Sequence, residues 1–146
     1  MIYIFDIDGT LADNTHRLHH IQKTPKDYDA FYAGIPDDKP IPTICSVFEQ
    51  LCLNESNEVV VITVRPERAR YITEDWLNMH AGYFSWMEMR QDGNHYPDHV
   101  IKQEIYDTHL KDRKNEIACV FEDRQQCVDM WRANGLTCCQ VAKGDF

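Results

Sequence analysis

Residues 58–63, Glu-Val-Val-Val-Ile-Thr, restrict the possible fold more than any other segment of the chain. Four of these residues are apolar in succession, so the segment lacks the alternation of a strand with one side in water. A continuous apolar run is typical of a strand that is covered on both faces, as in a parallel sheet flanked by helices. The segment therefore predicts a buried strand of an α/β protein.

Apolar runs and amphipathic segments alternate along most of the chain. Further strands are predicted at about residues 1–5, 83–89, 117–121 and 136–141. Helices are predicted at about residues 43–53, from Pro66, from an N-cap at Asp98, and at about 125–134. This alternation indicates an α/β fold with a doubly wound, mostly parallel sheet.

The length of 146 residues predicts a single domain, 1–146, with enough chain for a core of its own. Residues 13–42 interrupt the alternation with a polar stretch that contains several aromatic side chains. We expect this stretch to form one or two short helices beside the sheet, as a small cap-like insertion. Its aromatic residues are interpreted as core packing rather than as a base-stacking platform; they are Tyr28, Phe31 and Tyr32.

Composition narrows the class of protein. The net charge of −9 argues against extended, non-specific binding of nucleic acid, although it leaves room for a local basic pocket. No apolar stretch approaches the ~18 residues of a membrane-spanning helix and no secretory signal is visible, so a cytoplasmic location without membrane contact is expected. The six cysteines contain no Cys-x-x-Cys pair and are interpreted as small, buried, free thiols.

Two carboxylates, Asp6 and Asp8, follow the first predicted strand within the sequence Asp-Ile-Asp-Gly-Thr at residues 6–10. Ligands of open α/β sheets bind beyond the carboxyl ends of the strands. Carboxylates at such a place can hold a hard cation beside a nucleophilic oxygen. A simple turn or a calcium loop is the alternative, but Leu and Ala at positions 11 and 12 break the calcium-loop pattern.

Polar side chains also follow the other predicted strands. They are Thr63 and Arg65, then Arg90 and Asp92, then Glu122, Asp123 and Arg124. A parallel sheet gathers these strand ends at one edge. The combined set matches the needs of phosphate-ester hydrolysis: a carboxylate nucleophile, an oxygen-ligated Mg²⁺, a second acid for proton transfer, and donors for the phosphoryl oxygens.

Residues 6–10 match the Asp-x-Asp-Gly-Thr signature of the haloacid dehalogenase (HAD) superfamily of phosphohydrolases. Thr63 resembles the second motif of that superfamily, Lys102 the third, and Glu122 with Asp123 the fourth, in the expected order. The resemblance covers nearly the whole chain. It implies the HAD-like α/β fold and a phosphatase activity.

A narrower resemblance connects the chain with the phosphatase domain of phage-type polynucleotide kinase/3′-phosphatases. It rests on Arg90 and on residues 61–67, 98–105 and 130–146. No Walker-type Gly-x-x-x-x-Gly-Lys-Ser/Thr motif occurs in the sequence, and Met1 begins the catalytic strand. The chain is therefore expected to be a phosphatase module without the kinase domain.

The resemblance implies a role for each matching residue. Asp6 would be the nucleophile and an Mg²⁺ ligand, and Asp8 the general acid/base, with its backbone carbonyl also facing the metal. Thr63 and Lys102 would bind the transferring phosphoryl group, and Lys102 would also restrain the nucleophile. These roles imply a reaction through an aspartyl-phosphate.

Five further residues follow from the same resemblance. Asp123 would complete the metal site, with Glu122 beside it or ligating through water, because the family commonly has two aspartates there. Which of these two carboxylates touches the metal stays open. Arg65, Arg90 and Asp38 match charged positions that line the related active site.

The leading substrate is a 3′-phosphate at a polynucleotide end. Free 5′- or 3′-(deoxy)nucleoside monophosphates are the alternative, and a non-catalytic phosphate-binding module is disfavoured because both motif aspartates are present. We interpret three histidines as polar residues that flank the cleft rather than as ligands of a transition metal; they are His16, His19 and His20. Two interpretations of Arg124 stay open: it is a residue of the site, or it only forms ion pairs with neighbouring acids.

Overall fold

A computed structural model describes residues 1–144 of the chain. Its strands are β1 (Ile2–Phe5), β2 (Ala12–Asp13), β3 (Lys39–Pro40), β4 (Glu58–Pro66), β5 (Trp86–Arg90), β6 (Ile117–Arg124) and β7 (Cys138–Gly144). Its α-helices are α1 (His19–Gln22), α2 (Tyr28–Ala33), α3 (Pro42–Cys52), α4 (Arg70–His80), α5 (Asp98–His109) and α6 (Gln125–Ala133). Short 3-10 helices lie at Thr15–Arg17, Ile35–Asp37, Glu67–Ala69 and Lys111–Glu116. Asp145 and Phe146, the last residues of the family-like segment 130–146, lie outside the described residues.

Five parallel strands form the main sheet in the order β5-β4-β1-β6-β7. β1 is the central strand, and its last residue, Phe5, pairs with Val61 of β4 and Phe121 of β6. The residues that follow β1 therefore emerge between the ends of two neighbouring strands. The predicted doubly wound, mostly parallel α/β fold is confirmed.

Alternate residues of β1 and β4 belong to two different apolar cores. Ile4 and Ile62 face the core formed with α5 and α6, whereas Phe5 and Val61 face the core formed with α3 and α4. Every residue from Val59 to Ile62 is almost fully buried. The absence of alternation in the sequence of β4 thus has a direct cause, since helices cover both sides of this strand.

The segment between β1 and α3 contains the short helices α1 and α2, as expected. Its two ends are joined by the antiparallel pairing of β2 with β3, which places Asp13 opposite Lys39. The side chain of Asp27 caps α2 by accepting a hydrogen bond from the N–H of Ala30 at 3.0 Å. The function of residues 13–42 as a cap stays a prediction.

Several predicted boundaries are wrong by a few residues. β5 begins at Trp86 rather than at residue 83, because pairing with β4 starts there and Tyr83 remains 81% exposed. β7 runs from Cys138 to Gly144 rather than over 136–141. Asp98 does not cap α5: Pro97 occupies the N-cap, and the Asp98 carboxylate instead accepts hydrogen bonds from two arginines.

All six cysteines are free thiols. Cys45, Cys127 and Cys138 are buried as expected, but Cys52 and Cys119 are only partly buried and Cys139 is exposed. The expectation of buried side chains is therefore correct for half of them. Within residues 1–144, no helix is both long enough and apolar enough to cross a lipid bilayer.

The central strand generates a prediction for stability. We expect Ile4→Ala to lower the free energy of unfolding by about 2–5 kcal/mol, because it leaves a cavity in the core shared with α5 and α6. Urea denaturation followed by circular dichroism measures the change. Tyr71→Ala, at a side chain that is 81% exposed, is the control and should stay within about 0.5 kcal/mol of the original protein. A similar loss in the two variants would contradict the assigned packing.

Candidate active site

The turn after β1 is held by backbone hydrogen bonds. The N–H groups of Thr10, Leu11 and Ala12 all donate to the carbonyl of Ile7, at 3.1, 2.8 and 2.9 Å. Gly9 has a φ of +85°, and a Cβ on it would lie 2.2 Å from a carboxylate oxygen of Asp123. Glycine is therefore needed at this position for two reasons, the backbone conformation and the close approach of β6.

Lys102 extends from α5 into the space between β1 and β6. Its Nζ donates to Oδ1 of Asp6 and to Oε2 of Glu122, each at 2.6 Å, and the side chain is 2% exposed. Burial alone would lower the pKa of Lys102, but the two carboxylates overcome this effect and raise the pKa well above its usual value. The ammonium group is thus charged, and it fixes one oxygen of each carboxylate.

Asp6, Glu122 and Asp123 form an acidic cluster in which the possible ligand oxygens all lie within 4.8 Å of one another. Burial and then the charge of Glu122 raise the pKa of Asp6 well above its usual value, and the same two causes raise the pKa of Asp123 to about 6. Asp6 and Asp123 therefore resist ionisation, and together with Glu122 they form the expected donor set for a divalent cation, which would offset the repulsion between the carboxylates. The residues present therefore fit such an ion.

The two carboxylates of β6 differ in how strongly the protein engages them. Glu122 uses both oxygens, since Oε2 accepts from Lys102 and Oε1 accepts from the N–H groups of Asp123 and Arg124 at 3.2 and 3.3 Å. Asp123 accepts one long hydrogen bond from the Thr10 hydroxyl at 3.4 Å. Asp123 is consequently the more available ligand of the pair.

Asp8 lies between two buried guanidinium groups. Arg65 donates to both of its oxygens, from Nε at 3.0 Å and from Nη2 at 2.7 Å, and Arg17 Nη2 donates to Oδ1 at 2.8 Å. Burial alone would raise the pKa of Asp8, but Arg65 and Arg17 lower it below the usual value. Two carboxylates that are separated by one residue, Asp6 and Asp8, therefore have pKa values shifted in opposite directions.

The carboxylate of Asp38 accepts hydrogen bonds from the same two guanidinium groups, those of Arg17 and Arg65. Its oxygens accept from Arg17 at 2.7 and 2.8 Å and from Arg65 at 2.9 Å, and His16 Nε2 lies 2.8 Å from its Oδ1. Asp38 is itself almost fully buried, and its backbone carbonyl accepts from the indole N–H of Trp76 at 2.9 Å. The predicted site residue is thus part of the cluster, as a partner of the arginines.

Arg17 is the site residue that the sequence analysis missed. It lies in a polar segment without periodicity, directly after His16. The one available signal was its isolation, since no other arginine occurs before Arg65. In the structure it is almost fully buried and joins Asp8 to Asp38.

Two predicted phosphate-binding residues are engaged by the protein itself. Thr63 is fully buried, and its hydroxyl accepts from the N–H of Arg65 at 3.3 Å. Arg90 donates to the carbonyls of Val64, Asn94 and Tyr96 and to the carboxylate of Asp98. Thr63 is therefore buried and is not among the residues that line the cleft, whereas Arg90 lines it and its hydrogen bonds hold the loop 91–97.

An open cleft of about 600 Å³ connects these groups, a volume within the usual range of ligand sites. Asp6, Asp8, Arg65 and Lys102 lie on its floor, and α2 and the loop 91–97 contribute to its walls. His16 borders the site through its contact with Asp38. Arg124 also lines the cleft and forms an ion pair with Asp98.

Asp6 and Asp8 lie beyond the central strand of a parallel sheet, and Lys102 and the carboxylates of β6 lie beside them. This arrangement defines an HAD-type phosphatase. The family model for the phosphatase domain of polynucleotide kinase PNKP matches residues 1–146, so the chain belongs to that family.

Solved structures agree with this assignment. A chain of the Pnkp1/Rnl/Hen1 complex is 26% identical with a TM-score of 0.78, and the match covers 99% of this chain and 47% of that one. A chain of the Pnkp1/Rnl/Hen1 RNA repair complex is 24% identical with a TM-score of 0.80, covering 99% and 43%. This chain thus spans less than half the length of either. A predicted phosphatase from Clostridium acetobutylicum is 16% identical with a TM-score of 0.67, covering 94% and 82%.

The buried ammonium group generates a second prediction for stability. We expect Lys102→Met to lower the free energy of unfolding by about 3–5 kcal/mol, because it leaves the carboxylates of Asp6 and Glu122 buried without their cation. Urea denaturation in a chelating buffer measures this loss. Lys111→Met is the matched control, because Lys111 forms only an exposed pair with Asp107 and should change stability by less than about 1 kcal/mol. If Lys102→Met were as stable as this control, Lys102 would not be the cation that stabilises the two buried carboxylates.

Proposed function

We propose that this phosphatase is an Mg²⁺-dependent phosphomonoesterase that forms an aspartyl-phosphate on Asp6 and removes a 3′-phosphate from a polynucleotide end. The observation that carries the proposal is the contrast between Asp6, which contacts an ammonium inside an acidic cluster, and Asp8, which contacts two guanidinium groups. A carboxylate fixed beside a candidate cation site suits a nucleophile, and a second carboxylate two residues further on suits proton transfer.

The reaction would proceed in two steps. In the first, an oxygen of Asp6 attacks phosphorus, the bond from phosphorus to the leaving oxygen breaks, and Asp8 gives a proton to that oxygen. In the second, Asp8 takes a proton from water, the water oxygen bonds to phosphorus, and the bond between phosphorus and Asp6 breaks. Inorganic phosphate leaves, Asp6 is again a free carboxylate, and Asp8 is again protonated.

The contacts of Asp8 suit the second step directly, because Arg65 and Arg17 keep it ionised and able to accept a proton. The first step needs its protonated form. We infer that the phosphate of the substrate attracts these two guanidinium groups, which weakens their hold on Asp8 and lets it take up a proton. The arginines would then also neutralise the phosphoryl oxygens.

The acidic cluster supports Mg²⁺ as the cation. Asp6 and Asp123 would hold it together with the backbone carbonyl of Asp8, while Glu122 would remain with Lys102. When bound, Mg²⁺ offsets the repulsion between the phosphate and Asp6 and polarises the phosphoryl group. Lys102 keeps the nucleophile oriented, because it already donates to the other carboxylate oxygen.

The family supports a nucleic-acid end as substrate, and so does the similarity to a chain of an RNA repair complex. The open cleft of about 600 Å³ supports a substrate larger than a free phosphate. One observation favours the alternative of free nucleoside monophosphates, namely the net charge of −9, which disfavours a long polyanion. A cytoplasmic site of action is part of the proposal.

Phosphate release from a panel of substrates tests the proposal. We expect turnover of 3′-phosphorylated oligonucleotides with Mg²⁺ and none with a chelator, and slower release from 5′-phosphorylated oligonucleotides and mononucleotides. Asp6→Asn should lower kcat by roughly a thousandfold or more, because an amide cannot act as the nucleophile. Its circular dichroism spectrum should match that of the original protein.

The outcomes separate the two candidates. Release from mononucleotides alone would overturn the polynucleotide proposal and favour the alternative. Full activity of Asp6→Asn would overturn the nucleophile and the aspartyl-phosphate together.

Thermal unfolding tests the metal ligands without any turnover. We expect 10 mM Mg²⁺ to raise the Tm of the original protein by roughly 3–5 °C through binding to the folded state. Asp123→Asn should abolish this rise, whereas Glu122→Gln should retain most of it, because Glu122 is already engaged by Lys102 and two backbone N–H groups. Loss of the rise in Glu122→Gln with retention in Asp123→Asn would reverse the assignment.

A further inference from the structure

A row of three aromatic rings on α2 leads from the catalytic centre to solvent. The guanidinium of Arg17, which contacts Asp8, lies 4.3 Å from the centroid of the buried Phe31 ring. Phe31 meets Tyr32 edge to face at 5.2 Å, and Tyr32 stacks on Tyr28 at 6.2 Å with an angle of 21° between the rings. The row therefore continues the cleft outward from its floor.

The outer end of this row is not explained by core packing. Phe31 is buried and lies against the guanidinium of Arg17, and Tyr32 packs partly against the core formed with α3 and α4. Tyr28 belongs to neither apolar core and is 45% exposed. Tyr28 and Tyr32 both line the cleft that contains Asp6. The sequence-based interpretation as core packing thus fits the buried Phe31 and the partly buried Tyr32, but not Tyr28.

Cations accompany the exposed rings. The guanidinium of Arg68 lies 5.6 Å from the centroid of the Tyr32 ring, and its side chain is 53% exposed. Six of the 15 Lys and Arg residues line this cleft, against six of the 24 Asp and Glu residues. The cleft is therefore less acidic than the protein as a whole, and the charge of −9 does not extend into it.

We propose that Tyr28, Tyr32 and Arg68, here called the tyrosine wall, bind a nucleobase of an unpaired polynucleotide end whose terminal phosphate lies at Asp6. This inference rests on the proposed function and specifies how the site recognises more than the phosphate. The open face of a stacked aromatic pair accepts any nucleobase, because every base has a π-face. Arg68 supplies a cation for the adjoining phosphodiester.

Tyr28→Ala tests the wall with little risk to folding, because this ring is exposed. We expect the variant to raise KM for a 3′-phosphorylated oligonucleotide roughly five- to twentyfold with kcat unchanged, the loss typical of one base–aromatic stack. Its kcat/KM for glycerol 2-phosphate, which has no ring to stack, should not change. Tyr28→Trp should restore the oligonucleotide KM, and Tyr71→Ala, an exposed tyrosine of α4 outside the cleft, should have no effect.

Two further measurements separate stacking from a structural effect. An oligonucleotide with abasic sugars near its 3′-phosphate should bind the original protein about as weakly as Tyr28→Ala binds the oligonucleotide that has all its bases. The Tyr28→Ala substitution should not weaken the binding of the abasic oligonucleotide any further. Equal losses on glycerol 2-phosphate and on the oligonucleotide would overturn the wall, as would an unchanged oligonucleotide KM.

Binding of an unphosphorylated, fluorescein-labelled oligonucleotide keeps this test independent of catalysis. Fluorescence anisotropy should give a dissociation constant roughly five- to twentyfold larger for Tyr28→Ala than for the original protein. If the original protein binds this probe through Tyr28 but releases no phosphate from oligonucleotides, the proposed function fails and the wall stands. If it releases phosphate and Tyr28→Ala leaves affinity and KM unchanged, the wall fails and the function stands.

Discussion

The contact of one buried ammonium with two carboxylates is the interaction on which the rest of the site depends. Lys102 reaches from a helix on one face of the sheet and joins Asp6, which follows the central strand, to Glu122 at the end of its neighbour. Removing three charged groups from water is costly, and only their mutual attraction at close range offsets the cost. The same contact thus fixes α5 against the sheet and holds the carboxylate of Asp6 in place.

A second charged cluster surrounds Asp8 and consists of Asp38, Arg17 and Arg65. Asp8 and Asp38 share two arginines, and each planar guanidinium donates to both carboxylates through different N–H groups. Asp6 therefore sits among negative charge and Asp8 among positive charge, although one residue separates them. The turn at Gly9 directs the chain away between these two environments.

The sequence predicted the sheet, and the site residues that follow its strands, because strand periodicity and strand ends are local features. Val59 to Ile62 could be interpreted without knowing which helices cover them, and parallel topology then brought Asp6 and Glu122 together. Arg17 could not be found in this way, because its place depends on how an irregular segment packs against Asp38. Likewise, nothing in the residue type of Arg90 indicated that backbone carbonyls would occupy its donors.

The hydrogen bonds of Arg90 hold the loop 91–97 by its backbone rather than by its side chains. One side chain on β5 holds the carbonyls of Asn94 and Tyr96 in the loop 91–97, whereas the carboxylates of the candidate site follow β1 or lie near the end of β6. Because every residue type has a backbone carbonyl, the side chains of this loop could vary while Arg90 kept these two partners. Redesign of substrate preference in this scaffold would begin at that loop and keep its arginine.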